Sequence, residues 1–220
     1  MRKIILTMLL AVLTCGAQAQ WSLGASAGGD YNWFSINTQY QNDYHYEGAW
    51  GWSAAIFTQY QFKPWVALRA EVEGSSKNYR FTRSGAYNGT HYNYYNTYVQ
   101  LPVMAKFMFG SEKVHGFVNI GVYAGYWAGS RMKGEVWNYM ADQIEKADQA
   151  YEYNKTKDQR ADFGLAGGLG LEWKLAEHWA MHVEARCYYS FISTVKQYMD
   201  IKDYRFNTTI GLQAGFSYIF

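Results

Sequence analysis

The feature that most constrains this chain is a charge-free face that recurs about eight times along it. In RFNTTIGLQAGFSYIF, 205 to 220, the residues Phe206, Thr208, Ile210, Leu212, Ala214, Phe216, Tyr218 and Phe220 share one parity. Asn207, Thr209, Gly211, Gln213, Gly215 and Ser217 share the other. A period of two marks a strand lying between an apolar and a polar environment. The same pattern returns around 21–27, 52–62, 66–72, 99–109, 118–126, 163–173 and 181–189. Every strand charge, namely Arg69, Glu71, Glu73, Lys106, Glu172, Lys174, Glu184 and Arg186, falls on the opposite parity. The links alternate strictly between short (63–64, 110–113, 176–178) and long (37–48, 75–93, 129–161, 192–204). Tight turns at one end and long loops at the other are the habit of outer-membrane barrels.

Alternation alone does not say which face points outward, since a secreted lipocalin-like barrel would hold its apolar face inside. Three features favour the membrane. The polar face is rich in Gly, Ser and Gln, whereas a solvated surface carries about 25–35% charged residues. Trp50, Trp52, Trp65, Trp173, Trp179 and Tyr218 gather near segment ends, where a bilayer interface holds such rings. Finally, a strand running to Phe220 is expected to close onto the first strand, because lipid leaves no backbone group unpaired.

The start of the chain reads differently. Arg2 and Lys3 precede the apolar run 4–13, and Ala17-Gln18-Ala19 offers small residues at a signal-peptidase site, so residues 1–19 are expected to be a cleaved signal peptide and 20–220 the barrel domain. A lipoprotein reading of Cys15 is weaker, because Thr14 is a poor neighbour for lipidation. Removing two basic residues from 20 Lys+Arg leaves 18, against 18 Asp+Glu, which gives no support to nucleic-acid binding. Cys187 would then be the one remaining cysteine, so no intramolecular disulfide is expected. No later stretch reaches the ~18 apolar residues of a membrane helix.

Several segments resemble the PorT-like, "porin family" outer-membrane β-barrels of Bacteroidetes. They are YVQLPVMAKFMFG (98–110), DFGLAGGLGLEWKL (162–175), HVEARCYYSF (182–191) and TIGLQAGFSYIF (209–220). The resemblance covers the second half of the barrel, extends to the first half by pattern only, and implies a fold family rather than an activity. Phe216, Tyr218 and Phe220 likewise resemble the C-terminal signal read by the outer-membrane insertion machinery.

The interior charges are expected to form a balanced network, Glu71 and Glu73 facing Lys106, and Glu172 with Lys174 facing Glu184 and Arg186, because buried charges need partners. A proton or ion path through them is the sharper alternative. Gly164, Gly168 and Gly170 are expected to leave room for His182 and Arg186, and Pro102 to mark a bulge. In the third long loop, Val136, Met140, Ile144, Ala147 and Tyr151 recur at three and four residues, the stripe of an amphipathic helix of about four turns. That stripe is read as resting on the rim, docking a partner protein or plugging the mouth. Tyr87, His91, Tyr92, Tyr94, Tyr95 and Tyr98 flank an Asn88-Gly89 turn, a hairpin standing above the membrane. His45 near Asp43 and His91 near Ser84 lack the third member of a catalytic set, and the five histidines lack zinc spacing, so no catalytic residue, metal or cofactor is expected.

The expected protein is therefore all-β, an eight-stranded antiparallel transmembrane β-barrel with one helix in the third extracellular loop. It would lie in the outer membrane of a Gram-negative bacterium, with periplasmic termini. Its expected partners are outer-membrane lipid, the insertion machinery and another envelope or secreted protein, and its role that of a non-enzymatic anchor, scaffold or assembly component. A small diffusion or ion channel, and a loop-borne enzyme acting on lipid or peptide, stand as alternatives.

Overall fold

The computed structural model describes residues 20–37, 43–85, 89–138, 140, 143–196 and 204–220; the expected signal peptide lies outside them. Ten strands follow in order: β1 (Gln20–Asn37), β2 (Tyr44–Lys63), β3 (Val66–Ser76), β4 (Tyr79–Arg83), β5 (His91–Gly110), β6 (Val114–Asn138), β7 (Gln143–Ala150), β8 (Ala161–Lys174), β9 (Trp179–Ser190) and β10 (Tyr204–Ile219). Eight staves close a ring. The antiparallel partners run β1–β2–β3–β5–β6–β8–β9–β10, and β10 returns to β1 from Ser22↔Ile219 to Asn37↔Tyr204. The Phe220 amide donates to the Trp21 carbonyl at 2.9 Å, so the last residue is tied into the closure. β4 continues the β3 stave after a break at Lys77 and Asn78, pairing with β2 and β5. Among the described residues β7 pairs with β6 alone.

The alternating faces resolve as the membrane reading requires. Ile56, Val72, Leu101, Ile120, Leu169 and Leu212 are exposed, whereas Arg69, Glu73, Lys106 and Glu184 are fully buried inside the ring. This inversion of a water-soluble core follows from the solvent, because hydrocarbon takes the apolar face and the lumen collects the polar one. Aromatic rings edge the apolar band. Trp21, Trp65, Trp179 and Phe220 lie at the short-turn end; Trp50, Trp52, Tyr126 and Tyr189 lie toward the long loops. From Trp21 to Tyr31, a run of about ten residues at ~3.3 Å rise tilted by ~40° spans ~25 Å, the height of such a band.

Two sequence expectations change here. Among the described residues no helix forms in the third loop. β6 runs on past the band to Asn138 and folds back as β7, with Val136 opposite Glu145, Trp137 opposite Ile144 and Gly134 opposite Ala147. β6 is already held by β5 up to His91↔Glu135, and extending an existing ladder needs no costly helix nucleus. The long links are correspondingly shorter than the sequence pattern implied, since β4, the start of β5, the end of β6 and β7 are carved from them. No bulge forms at Pro102 either, although the β3–β5 ladder lacks pairs at Leu101 and Pro102 before resuming in the same register. Pro102 keeps register opposite Tyr123, and the β5–β6 register shifts between Thr97 and Tyr98.

Because Ile56 is 65% exposed in the middle of the band, Ile56→Arg should destabilise the barrel by ~2–4 kcal/mol. Urea unfolding in lipid vesicles, followed by loss of the compact band on unheated gels, measures it; an unchanged midpoint would place this face away from lipid.

Candidate functional site: a filled lumen and an overhanging hairpin

The lumen is built from inward side chains that cross it. Arg186 on β9 reaches Glu71 on β3 with both terminal nitrogens, Nη1 to Oε2 at 2.5 Å and Nη2 to Oε1 at 3.0 Å. Its Nε and Nη2 also donate to Glu184, at 3.1 and 2.6 Å. Arg69 Nε lies 2.6 Å from Glu71 and its Nη1 3.8 Å from Glu184, with the guanidinium 3.7 Å over the Phe57 ring. Glu73 has mostly neutral donors. Gln100 reaches it at 2.6 Å, Tyr188 Oη at 2.8 Å and Gln213 at 3.2 Å, while Arg186 is 3.4 Å away. Three carboxylates thus share two guanidiniums, and amide and phenol donors satisfy the remainder. Each buried ion loses several kcal/mol of hydration, so bidentate geometry and extra donors are what make such a network tolerable.

Lys106 turns toward the short-turn end and pairs with Glu172, rather than with Glu71 or Glu73 on the neighbouring stave; His115 Nε2 lies 3.0 Å from the other Glu172 oxygen. Lys174 is outside the network. It is exposed and edges an open vestibule of about 650 Å3 together with Trp65, His115 and Glu172. Gly168 and Gly215 leave the room the interior needs, since an added Cβ would meet Glu184 Oε1 at 2.2 Å and the His182 ring at 2.6 Å respectively.

A second layer was not legible as a site from the sequence. Lys77 Nζ lies 2.7 Å from Asp162 Oδ2, with the Tyr98 and Tyr123 rings 4.9 and 4.8 Å from the ammonium. Ser190 Oγ and Tyr123 Oη donate to Asp162 Oδ1 at 2.6 and 3.1 Å. Lys77 occupies the break between β3 and β4, where Asn96 binds both its amide and its carbonyl. Above it Tyr98 and Trp127 stack at 6.1 Å, and Tyr151 stacks on Trp127 at 5.7 Å. A pocket of about 30 Å3 lies among these rings. Asp30, also unanticipated, is buried and accepts from Ser53 at 3.2 Å.

Beyond the mouth, β4, β5, β6 and β7 form a sheet that overhangs the ring. Its inner face carries Tyr79 stacked on Tyr94 at 4.5 Å and Phe81 stacked on Tyr92 at 6.3 Å. Burial, then the nearby Tyr46 and Tyr92 phenols, push the Tyr94 hydroxyl up to about 12, so this phenol stays uncharged. Tyr98 belongs to the lumen and Tyr95 is exposed, so the aromatics around the expected turn split between two places; Tyr87 and Asn88 lie outside the described residues. The stripe expected on one helix face is dispersed as well. Met140 and Ile144 are exposed on the β6–β7 hairpin, Val136 and Ala147 sit in its ladder, and Tyr151 packs into the mouth. Arg131 Nε donates to Asp148 Oδ1 at 2.6 Å across the hairpin and holds that carboxyl below its usual range. At the other end Phe216, Tyr218 and Phe220 lie together on the outer face, Tyr218 being 5.3 Å from Trp179 and 5.2 Å from Phe220. Among the described residues no cluster of His, Cys, Asp or Glu could hold a metal ion.

A closed ring of eight staves with an apolar jacket and a polar filling defines an outer-membrane β-barrel. The chain belongs to the family described as outer membrane protein beta-barrel domain, which matches residues 5–220, and this assigns it to the outer membrane of a Gram-negative bacterium. Comparison with curated proteins found no match. Among solved structures, OprG of Pseudomonas aeruginosa is similar at 12% identity and TM-score 0.50, over 90% of this chain and 95% of that one. Ail of Yersinia pestis, the attachment invasion locus protein, is similar at 13% identity and TM-score 0.43, over 91% and 99%. Neisserial surface protein A is similar at 15% identity and TM-score 0.44, over 91% and 97%.

Arg186→Met removes the group that Glu71 and Glu184 share and should cost ~3–5 kcal/mol, read as a lower denaturant midpoint in lipid vesicles. Adding Glu184→Gln, which restores the charge balance and leaves Arg69 paired with Glu71, should recover part of that loss; no recovery would mean that packing, not charge, holds the lumen.

Proposed function

We propose that this barrel is a non-enzymatic anchor or scaffold that carries a partner-binding sheet outside the membrane, with both termini on the periplasmic side. The observation that carries this reading is the contrast between the two ends of β5 and β6. Within the band the lumen is crossed by Arg186, Glu71 and Glu184 and closed at the mouth by Tyr98, Trp127 and Tyr151. Beyond the band the same strands continue into an overhang whose hairpin exposes Met140 and Ile144. A stave extended past the membrane and bearing apolar side chains in water is a surface awaiting cover. The YVQLPVMAKF strand supports placing the protein among the PorT-like barrels of Bacteroidetes, and the Phe216, Tyr218, Phe220 cluster supports recognition by the insertion machinery.

Replacing residues 135–146 with an Asn-Gly turn should leave a folded barrel, since Gly134↔Ala147 can close the shortened hairpin. Cross-linking in intact outer membranes followed by gentle purification should then lose the proteins that co-purify with the full chain; a variant that keeps them all sinks the scaffold reading. Planar-bilayer recordings of the full chain should show no steady conductance. Lys106→Met with Glu172→Gln should lower heat stability without opening a conducting state; a conducting variant would favour the channel.

The hairpin ion pair also sets a pH range. Asp148 is lowered first by its hydrogen bond from Arg131, so the contribution of this pair is fully present above the ordinary Asp value of ~3.9 and is lost as pH falls through the lowered folded value. Amide exchange in the hairpin, corrected for its intrinsic pH dependence, should stay constant from neutral pH to about 5 and rise only in stronger acid; a rise near pH 6 would contradict this.

A further inference from the structure

Most glycines inside the strands have an internal reason to lack a side chain. An added Cβ on Gly121 would meet the Val103 carbonyl oxygen at 2.0 Å, and one on Gly164 the Tyr189 carbonyl oxygen at 1.9 Å. A Cβ on Gly74, Gly125 or Gly129 would meet nothing closer than 3.5 Å, Gly74 lying outward beneath the Trp52 ring; Gly29 and Gly167 are the two that share one stretch of the outer wall. Both lie on the lipid-facing parity, yet a Cβ on Gly29 meets nothing within 4 Å, and one on Gly167 only the Asn119 carbonyl oxygen at an ordinary 3.5 Å. Glycine in a strand interior costs stability and forgoes apolar contact with lipid, and it is found where a ligand or another backbone comes close.

The registers bring the two together. One row of paired outward residues runs Trp50, Tyr31, Ile210, Cys187, Gly167, Ile120 across β2, β1, β10, β9, β8 and β6. The next runs Gly29, Leu212, Ala185, Leu169, Val118. Gly29 makes a notch between Tyr31 and Leu212. Cys187, Gly167 and Ala185 make a low floor between Ile210 and Leu212 on one side and Ile120 and Leu169 on the other. Together they bound an apolar trough of about 700 Å3 in the outer wall. It starts at the aromatic edge of the band, where Tyr31 and Trp50 meet edge to face at 5.3 Å, and descends obliquely to Ile120, midway between Val114 and Tyr126 on β6.

We propose that this trough is a specific site for an acyl chain of one membrane lipid, with the lipid headgroup beside Tyr31 and Trp50. The placement selects the occupant. The trough opens only into the hydrocarbon band, its volume lies in the range of small-ligand sites, ~300–1,000 Å3, and its aromatic end lies at headgroup level. A second barrel is a poorer fit, because a convex wall would touch the rims and leave the floor uncovered. The site is independent of the overhanging hairpin.

The test uses the full chain reconstituted in phosphatidylethanolamine–phosphatidylglycerol vesicles, gently extracted and weighed by native mass spectrometry. The wild type should retain one lipid. Gly29→Leu with Gly167→Leu fills the trough without internal clash and should cut retention about tenfold, the change that ~1.4 kcal/mol produces. Ala70→Leu, outward on β3 and on the opposite wall of the ring from Cys187, should leave retention unchanged. Equal retention in the filled variant, or equal loss in the control, overturns the site. Should the filled variant fail to fold, bimane on Cys187 of the otherwise unaltered chain decides. Quenching by brominated acyl chains should outlast dilution into unbrominated vesicles, whereas immediate recovery shows bulk lipid only and overturns the proposal. Cys187–Cys187 cross-links with a dimer mass would assign the trough to a second copy and overturn it equally.

Discussion

The structure depends first on closure. In hydrocarbon an unpaired backbone amide or carbonyl costs several kcal/mol, so a sheet can cross only if its first and last strands pair. Here β1 and β10 do so from Ser22↔Ile219 to Asn37↔Tyr204, and Phe220 donates to Trp21 at the end of the seam. With eight staves the ring is just wide enough for side chains to fill it. Closure therefore dictates the interior as well as the edge. The inward parity must be polar enough to pair with itself and small enough in places to fit, which is why Gly168 sits beside Glu184 and Gly215 beside His182.

Filling such a lumen with charge has a structural consequence. Arg186 joins Glu71 on one wall to Glu184 on its own, and Lys106 joins Glu172 over the intervening β6, so the pairs act as struts between staves that are not neighbours in the sheet. Hydrophobic burial plays a smaller part, because most apolar residues face lipid and the lumen holds only small clusters such as Met104, Tyr123, Ala166 and Tyr188, or Ala67, Met108 and Phe117. The Lys77–Asp162 pair repeats the device one layer higher, with tyrosine rings around the ammonium. Its position at the break between β3 and β4 suits it, since an interrupted strand frees the backbone for Asn96 and lets the lysine turn inward.

What was legible in the sequence follows from how local each signal is. Parity is local, so the lipid-facing and lumen-facing residues and the tight turns were readable from single segments. Partner choice inside the lumen is not local. Lys106 meets Glu172 rather than Glu71 because the staves are staggered and the lumen is narrow, and neither property appears in any one segment. Lys77, Asp30 and Asp162 were missed for a simpler reason: they fall at or beyond the ends assigned to strands, where a single charge looks like a loop residue.

The third loop is the instructive failure, because two periods compete in the same residues. Val136, Met140, Ile144, Ala147 and Tyr151 satisfy a helical spacing, and the segment is rich in Glu, Lys, Ala and Gln, which favour helix. In isolation that preference is small and nucleation is costly. Attached to β6, whose partner β5 already runs to His91, the segment inherits an edge to pair with, and each further residue adds a hydrogen bond at once. Extension of the ladder therefore wins, and the exposed Met140 and Ile144 mark where the helical stripe loses its common face. In a barrel whose staves outrun the membrane, loop conformation is decided by the strand beneath it, so periodicity in such loops should be weighed against the reach of the neighbouring stave.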